Sequence, residues 1–180
     1  MNVQIIYASR TGCTRRLAQA IYDGLPMEEK SIHDLSEGIP ALTADVILVG
    51  YWGIGGGPDP QTQAFLSTIQ GKAVGVFCTL GYYADSSHGY ETMRKGIDLL
   101  KEKNLILGGY VCNGAVASAL KKGQGKDENA LPTEQKELRW KMIQNHPTDA
   151  ECALAAERFR ERIALYEKAL ALHIPLQSVL

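Results

Sequence analysis

The sequence has few features of a secreted, metal-binding or nucleic-acid-binding protein. Its four cysteines (Cys13, Cys78, Cys112 and Cys152) are widely spaced with no C-x-x-C pair, which argues against a disulfide scaffold and a zinc site. With 19 basic and 20 acidic residues, the net charge of −1 recommends neither nucleic acid nor an anionic membrane as a partner. No apolar run approaches the length of a membrane span, and no signal-peptide pattern is present. We therefore expect a protein of the reducing cytoplasm.

The pattern of apolar residues indicates an α/β protein with a parallel sheet. The 180 residues, 45% of them apolar, suit one domain (1–180) with a sizeable core. Strand-like and helix-like segments alternate along the chain, which favours parallel strands joined by helices. Strands are predicted at 3–8, near 29–33, and at 45–50, 73–78 and 105–111. Helices are predicted at 12–24, after Asp59-Pro60, near 87–103, after Pro132 and from Thr148.

The first strand runs directly into a loop rich in hydroxyl groups, Ser9-Arg10-Thr11-Gly12-Cys13-Thr14, which we call the hydroxyl loop. Because this loop opens a helix, unpaired backbone N–H groups and the helix dipole favour a bound phosphate there. Gly12 lets the backbone approach a ligand closely. The absence of lysine excludes the ATP-type loop G-x-x-x-x-G-K-[ST] and suits the terminal phosphate of a mononucleotide such as FMN. The alternative is that the Ser and Thr side chains only cap the helix.

Aromatic residues follow the next two long strands, at the point where each strand ends. Tyr51-Trp52-Gly53-Ile54-Gly55, the Trp loop, is predicted to be a mobile, glycine-rich segment with an exposed indole. Thr79-Leu80-Gly81-Tyr82-Tyr83, the Tyr loop, follows the strand at 73–78. In doubly wound sheets, ligands bind at the carboxyl ends of the strands, at the topological switch point. A phosphate site between two aromatic loops is what a planar ring with a phosphate tail requires.

These motifs resemble those of the flavodoxin family over roughly residues 1–113. The hydroxyl loop is similar to the family's phosphate loop T-x-T-G-N-T, and Tyr51-Trp52-Gly53 is similar to its T-W-G flavin loop. The resemblance implies a three-layer, doubly wound α/β fold. Its parallel sheet of five strands would have the order 2-1-3-4-5, with a C-terminal helical extension here. Three features depart from the family: Cys13 replaces Asn, no acidic residue directly follows Trp-Gly, and the last third of this chain is longer than in a minimal flavodoxin.

The resemblance also implies FMN as the cofactor, with its phosphate in the hydroxyl loop and its ring between the two aromatic loops. Gly53 would let the following peptide turn its carbonyl toward flavin N5 once that nitrogen is protonated on reduction. No catalytic residue and no metal ligand is predicted. The predicted cofactor-binding residues are Ser9, Arg10, Thr11, Gly12, Cys13, Thr14, Tyr51, Trp52, Gly53, Ile54, Gly55, Thr79, Leu80, Gly81, Tyr82 and Tyr83.

The function implied is electron transfer with redox partner proteins, rather than the activity of a stand-alone oxidoreductase. One alternative is an FMN-dependent NAD(P)H reductase of quinones or other small acceptors. Another is an accessory binding module that keeps the fold without flavin. Two residue-level alternatives also stay open: Cys13 is either a reactive thiolate or a small buried filler, and only one of Tyr82 and Tyr83 should face the ring.

The last third of the sequence contains a long excursion at 113–147, between the fifth strand and the final helix. Connections of this length are more often functional than idle, so a surface for a partner or substrate is expected there. The helix after Pro132 is predicted to turn Leu138, Met142 and Ile143 inward, and its Trp140 is either an exposed anchor or buried on the sheet. The final helix, 148–172, begins at the capping box Thr148–Glu151. Its apolar stripe is Cys152, Ala156, Phe159, Ile163, Tyr166 and Leu170.

Overall fold

The computed structural model describes residues 1–117 and 133–180 of the chain. Within these ranges, the strands are β1 Val3–Tyr7, β2 Lys30–Asp34, β3 Val46–Ile54, β4 Gly57–Pro58, β5 Ala73–Leu80 and β6 Leu105–Asn113. The helices are α1 Cys13–Gly24, α2 Pro60–Leu66, α3 Ser87–Asp98, α4 Thr133–Met142 and α5 Asp149–Ala171, and a short 3₁₀ turn spans Leu35–Glu37. The middle of the predicted excursion, 118–132, lies outside the described residues.

The sheet has the order β2-β1-β3-β5-β6, and all of these pairs are parallel. The short β4 adds to β3 in an antiparallel pair. The predicted order of five main strands is therefore confirmed. The chain adds β2 on one side of β1 and then crosses to β3 on the other, so the topological switch point lies between the ends of β1 and β3. These ends carry the hydroxyl loop and the Trp loop.

Two apolar clusters, one on each face of the sheet, make up the core. One cluster joins the sheet to α1 and α5, and includes Leu17, Ile21 and Phe159. The other joins the opposite face to α2 and α3, and includes Phe65 and Ile97. The central strands β1 and β5 and the first six residues of β3 are buried on both faces, as their continuous apolar runs predict. The resulting three layers confirm the predicted fold and the position of the final helix beside the first.

The final helix α5 begins as the sequence predicts. Thr148 Oγ1 accepts a hydrogen bond from Glu151 N at 3.2 Å, and Glu151 Oε2 accepts one from Thr148 N, which completes the capping box. The predicted stripe is buried through Phe159 and Ile163, but Leu170 is exposed. The prediction for Leu170 was wrong because the inward position in the last turn is Ala169, the preceding residue in the sequence.

The interpretation of α4 as an amphipathic helix was also wrong. Leu138 and Met142 are exposed, and only Ile143, just beyond the helix, is buried. No residue of α4 itself is buried. The apolar spacing was misleading because polar contacts of Arg139, described below, connect this helix to the rest of the chain. Among the described residues, no helix is both long and apolar enough to span a membrane.

Candidate functional site

The hydroxyl loop leaves several backbone N–H groups free at the start of α1. Gly12 is the N-cap residue, its φ is 88°, and as a glycine it has no side chain with which to cap the helix. A residue with a Cβ would be strained in this left-handed conformation. Among residues 1–117 and 133–180, none accepts a hydrogen bond from the N–H groups of residues 11–14. These donors sit at the positive end of the helix dipole, where an anion is the favoured acceptor.

The three hydroxyl side chains of this loop do not converge on one point. Ser9 Oγ accepts a hydrogen bond from Arg15 N at 3.2 Å, so it bridges the loop and the first turn of α1. The Thr11 hydroxyl is exposed and lies 3.2 Å from Ala115 O. Thr14 is buried, and its hydroxyl pairs with that of Thr79 at 3.0 Å. The loop therefore presents Ser9, Thr11 and the free amides at its surface, while Thr14 ties it to β5 from below.

Cys13 joins three segments beneath the hydroxyl loop. Its side chain is buried, and its sulfur accepts a hydrogen bond from Ala115 N at 3.1 Å. The thiol donates to His146 O at 3.3 Å, and Thr11 Oγ1 lies 3.2 Å from the same sulfur. The residue is thus buried as the filler interpretation expects, and it also supplies polar contacts to the end of β6 and to the approach to α5. The sequence contains no signal for these contacts, since the partners are more than 100 residues apart.

The Trp loop is part of a β-hairpin instead of a mobile segment. Residues 51–54 continue β3, and Gly53 and Ile54 pair with Pro58 and Gly57 of β4. The turn consists of Gly55 and Gly56, with φ values of 57° and 72°. Two positive φ angles are what a two-residue turn of the favoured hairpin type requires. The glycine cluster therefore has a geometric role that the prediction of a mobile loop missed.

Adjacent aromatic residues of β3 point to opposite sides. Tyr51 is fully buried, and its hydroxyl donates to the carbonyls of Thr92 and Met93 in α3 at 3.1 and 3.0 Å. Burial raises the pKa of this phenol. Trp52 is half-buried, and the guanidinium of Arg10 lies 5.2 Å from its ring centroid. Trp52 is thus placed beside the hydroxyl loop, whereas only the backbone of Tyr51 is available at this edge.

The Tyr loop is fastened to α4 by an arginine that sequence patterns do not predict. Arg139 Nη2 donates to Tyr82 O at 2.9 Å and to Asn113 Oδ1 at 3.1 Å, and its guanidinium lies 3.6 Å from the ring centroid of Tyr83. Asn113 donates in turn to Leu80 O and to Tyr82 O. The two tyrosine rings meet edge to face with centroids 5.2 Å apart. No local spacing could reveal Arg139, because it is separated from the Tyr loop by more than 50 residues.

The predicted site residues fall into two groups at the carboxyl ends of β1, β3 and β5. The exposed or half-buried group is Ser9, Arg10, Thr11, Gly12, Trp52, Gly53, Ile54, Gly55, Gly81, Tyr82 and Tyr83. The buried group is Cys13, Thr14, Tyr51, Thr79 and Leu80. Because its side chains face the core, the second group can support a ligand through backbone atoms or by shaping the loops.

An ion pair beside the hydroxyl loop connects α1 to the end of β2. Arg15 Nη2 donates to Asp34 Oδ2 at 3.0 Å, and Ser36 N donates to Asp34 Oδ1 at 2.9 Å. Burial opposes ionisation of Asp34, but the hydrogen bonds from Ser36 and Arg15 outweigh burial and lower the pKa of the carboxyl. Burial raises the pKa of the neighbouring Tyr7 phenol.

Asp34→Asn is expected to lower the free energy of unfolding at pH 7 by about 1 kcal/mol, since Arg15 is largely exposed and the pair is partly screened. The pKa is depressed in the folded state, so this stabilisation is present above the unfolded pKa and is lost as pH falls through the folded pKa. Urea unfolding at several pH values would measure the free energy of unfolding of the wild-type protein and of Asp34→Asn. The difference between these two values should shrink below about pH 4. A difference independent of pH would contradict the assignment, and Asp85→Asn, at an exposed position, is the matched control.

Comparisons with known proteins place this geometry in a family. A family model described as a flavodoxin domain matches residues 4–160. The flavodoxin-like domain-containing protein BilS of Clostridioides difficile is 31% identical over 160 residues, which cover 84% of this chain and 90% of that protein. Oxidised flavodoxin 2 from Bacillus cereus, at 19% identity, superposes with a TM-score of 0.58 over 90% of this chain and 99% of its own. A Fusobacterium nucleatum flavodoxin bound to flavin mononucleotide gives 17% identity and a TM-score of 0.55, over 93% and 97% of the two chains.

Proposed function

The chain belongs to the flavodoxin family, and from this premise we propose that it binds FMN and carries electrons between partner proteins. FMN as the cofactor follows from the family, and the matched F. nucleatum flavodoxin is described as bound to it. When bound, FMN supplies the redox chemistry, while the protein supplies binding, orientation and electrostatics. The donor and acceptor are proposed to be proteins that dock at the edge formed by the three loops.

The free amides of the hydroxyl loop are the single observation that carries this proposal. The N–H groups of residues 11–14 lack acceptors among the described residues, and the left-handed Gly12 leaves them open at an exposed helix start. A phosphate dianion has enough acceptor oxygens for several such donors, and it is favoured by the helix dipole. The exposed Thr11 and the half-buried Ser9 add hydroxyl groups beside these amides. The site fits the phosphate of FMN without a lysine.

The two aromatic loops fit the ring of the same cofactor. Trp52 lies beside the hydroxyl loop on one side, and Tyr82 and Tyr83 lie in the next loop along the sheet. Of the two tyrosines, Tyr83 is the more exposed, but its ring is covered by Arg139. Tyr82 packs against both Tyr83 and His88. Trp52 and the Tyr loop would therefore form the walls of the ring site, as planar aromatic partners do.

Gly53 satisfies the requirement for a peptide that can turn beside the ring. A Cβ at this position would lie 2.8 Å from Thr92 Cγ2 and 3.3 Å from Leu80 Cβ, so any other residue would force these side chains to move. The residue paired with Gly53 is Pro58, which has no N–H to hold the Gly53 carbonyl. The hairpin thus leaves that carbonyl without a ladder hydrogen bond from β4. The lack of a donor at Pro58 supports the role that family resemblance gives to the peptide after Gly53.

Trp52→Ala is expected to restore part of the fluorescence of bound FMN. An indole against the flavin ring quenches its emission and excludes water from one face, so its removal should raise emission at saturating protein. Titration of FMN emission with each protein would measure this, and Trp52→Phe should stay largely quenched. Tyr90→Ala, which removes an exposed ring of α3, is the control. Unchanged quenching together with unchanged affinity for Trp52→Ala would assign ring contact to the Tyr loop alone.

The proposed role as an electron carrier is tested by measuring two reactions separately: reduction of the bound flavin by NADPH or NADH, and transfer of electrons from the reduced flavin to an acceptor. The FMN-loaded chain is mixed anaerobically with NADPH or NADH and flavin absorbance is followed. A carrier should stay oxidised, because it takes electrons from a partner protein. The photochemically reduced chain should then pass electrons to an added one-electron acceptor such as cytochrome c. Rapid bleaching by either nicotinamide would instead assign the reductase activity.

A further inference from the structure

We propose that Arg139 is a positioning residue of the flavin site, which fixes the Tyr loop and places a positive charge beside the ring. The inference rests on the proposed function, because it concerns the FMN that this site would hold. It is independent of the motifs that carry the family resemblance, since α4 lies beyond the stretch that contains them. No pattern in the sequence links this helix to the ring site.

The contacts of Arg139 connect three separate parts of the chain. One guanidinium nitrogen bonds both the carbonyl of Tyr82 and the side-chain oxygen of Asn113, the last residue of β6. The central carbon of the guanidinium also lies over the ring of Tyr83. Because Asn113 donates to the carbonyls of Leu80 and Tyr82, the backbone of the Tyr loop is held from two directions. Arginine suits this task because its planar fork combines stacking with directed hydrogen bonds.

Two half-buried side chains of α4, Arg139 and Trp140, lie at the Tyr loop, and Arg139 makes the hydrogen bonds to its backbone. The helix buries no side chain of its own, and both of its aliphatic residues near Arg139, Leu138 and Met142, are exposed. Arg139 is half-buried, and its Nε is buried with no hydrogen-bond partner among the described residues. Covering part of a guanidinium in this way costs free energy. This cost is explained if the role of α4 is to hold the guanidinium at the Tyr loop.

Among the described residues, no acidic side chain pairs with Arg139. Its helix neighbours Glu134 and Glu137 are exposed, as is Asp85 next to the Tyr loop. On the other side of the site, the guanidinium of Arg10 lies over Trp52. Each aromatic wall of the predicted ring site therefore carries an arginine.

The Trp hairpin supplies no opposing negative charge. Its turn consists of glycines, and the first acid after Trp52 is Asp59. Asp59 is buried, and its carboxylate accepts hydrogen bonds from the backbone N–H and the hydroxyl of Thr62, so it caps α2. The ring of fully reduced FMN is anionic at neutral pH, whereas the oxidised ring is neutral, and the phosphate is charged in both states. A cation beside the ring, in a partly desolvated site, should therefore favour binding of the reduced form.

The test compares affinities for oxidised and reduced FMN in Arg139→Gln, Arg139→Lys and wild-type protein. Reduced FMN is prepared anaerobically with dithionite, and both dissociation constants are measured on the same full-length chain. Arg139→Gln should weaken reduced FMN about tenfold more than oxidised FMN, because it removes the charge and keeps an amide donor. Arg139→Lys keeps the charge but loses the fork, so it should weaken both forms severalfold and retain the preference for reduced FMN.

Two further variants separate charge from folding and position. Arg94→Gln, at an exposed arginine of α3, should change neither dissociation constant. Asn113→Ala removes a partner of the guanidinium without changing any charge, so it should weaken both forms by a similar factor. If Arg139→Gln fails to fold, the wild-type preference for reduced FMN should still decline as NaCl is raised, because salt screens the charge.

Three results would overturn the inference. Equal weakening of both FMN forms by Arg139→Gln would remove the charge effect, and unchanged binding in every Arg139 variant would remove the positioning role. The wild-type protein alone can also overturn the inference. It would do this if it showed no preference for reduced FMN, or if that preference did not change with salt. Wild-type protein that binds neither form of FMN would instead refute the proposed function itself.

Discussion

Riboflavin is expected to bind this chain at least about a hundredfold more weakly than FMN, a difference of about 2.8 kcal/mol. The two ligands share the ring and differ in the phosphate, which we propose is bound by the free amides of residues 11–14. Each hydrogen bond to a charged group contributes about 1.5–3 kcal/mol, so loss of even two of them accounts for the difference. A site that held flavin by ring stacking alone would bind both ligands equally.

The measurement is a fluorescence titration of each flavin with the same protein. Thr11→Ala should weaken FMN by about 1–2 kcal/mol and leave riboflavin unchanged, since only FMN carries the phosphate that we propose this hydroxyl binds. Thr43→Ala, at an exposed residue before β3, is the matched control for loss of a hydroxyl. Equal affinities for FMN and riboflavin in the wild-type protein would show that the hydroxyl loop does not bind phosphate.

Phe159→Ala is expected to cost about 3–5 kcal/mol of the free energy of unfolding. Its ring is fully buried between α5 and the sheet and meets Phe77 edge to face at a centroid distance of 6.1 Å. Its nearest ring atom would lie 2.7 Å from a Cβ on Gly75. The space beside Gly75 is thus already shaped for this ring, and the surrounding strands cannot collapse to fill the cavity. The variant should unfold at a much lower urea concentration.

The control for Phe159→Ala lies on the same helix. Leu154 is on the outer side of α5 and is 41% exposed, so Leu154→Ala should change the unfolding free energy by roughly 0.5 kcal/mol or less. A loss below about 1 kcal/mol for Phe159→Ala would mean that α5 is not part of the core. The apolar cluster described between the sheet, α1 and α5 would then be incorrect.

The fold was largely predictable because its signals are local. The apolar runs of β3 and β5, the amphipathic α1 and the capping box of α5 each lie within a few neighbouring residues, where periodicity and capping chemistry operate. The strand order then followed from the family resemblance. The inward face of α4 was predicted wrongly because apolar residues at helical spacing are buried only when the helix packs on the protein through that face.

The site was only partly predictable because its supporting contacts are distant in sequence. The hydroxyl loop and Trp52 could be identified from short motifs. The pairing of Thr14 with Thr79, the contacts of Cys13 with Ala115 and His146, and the position of Arg139 join segments that no motif relates. The hairpin at Gly55 and Gly56 was missed for a different reason: glycines that permit a mobile loop also permit a tight turn.

Binding of FMN by this chain is tested most directly by adding the purified, full-length protein to FMN and following flavin emission. The account predicts that emission falls to a constant low value at an equimolar ratio, and that the complex stays yellow after dialysis. Emission that does not change at any protein concentration, with all flavin lost on dialysis, would contradict it and would favour an accessory module that keeps the fold without the cofactor.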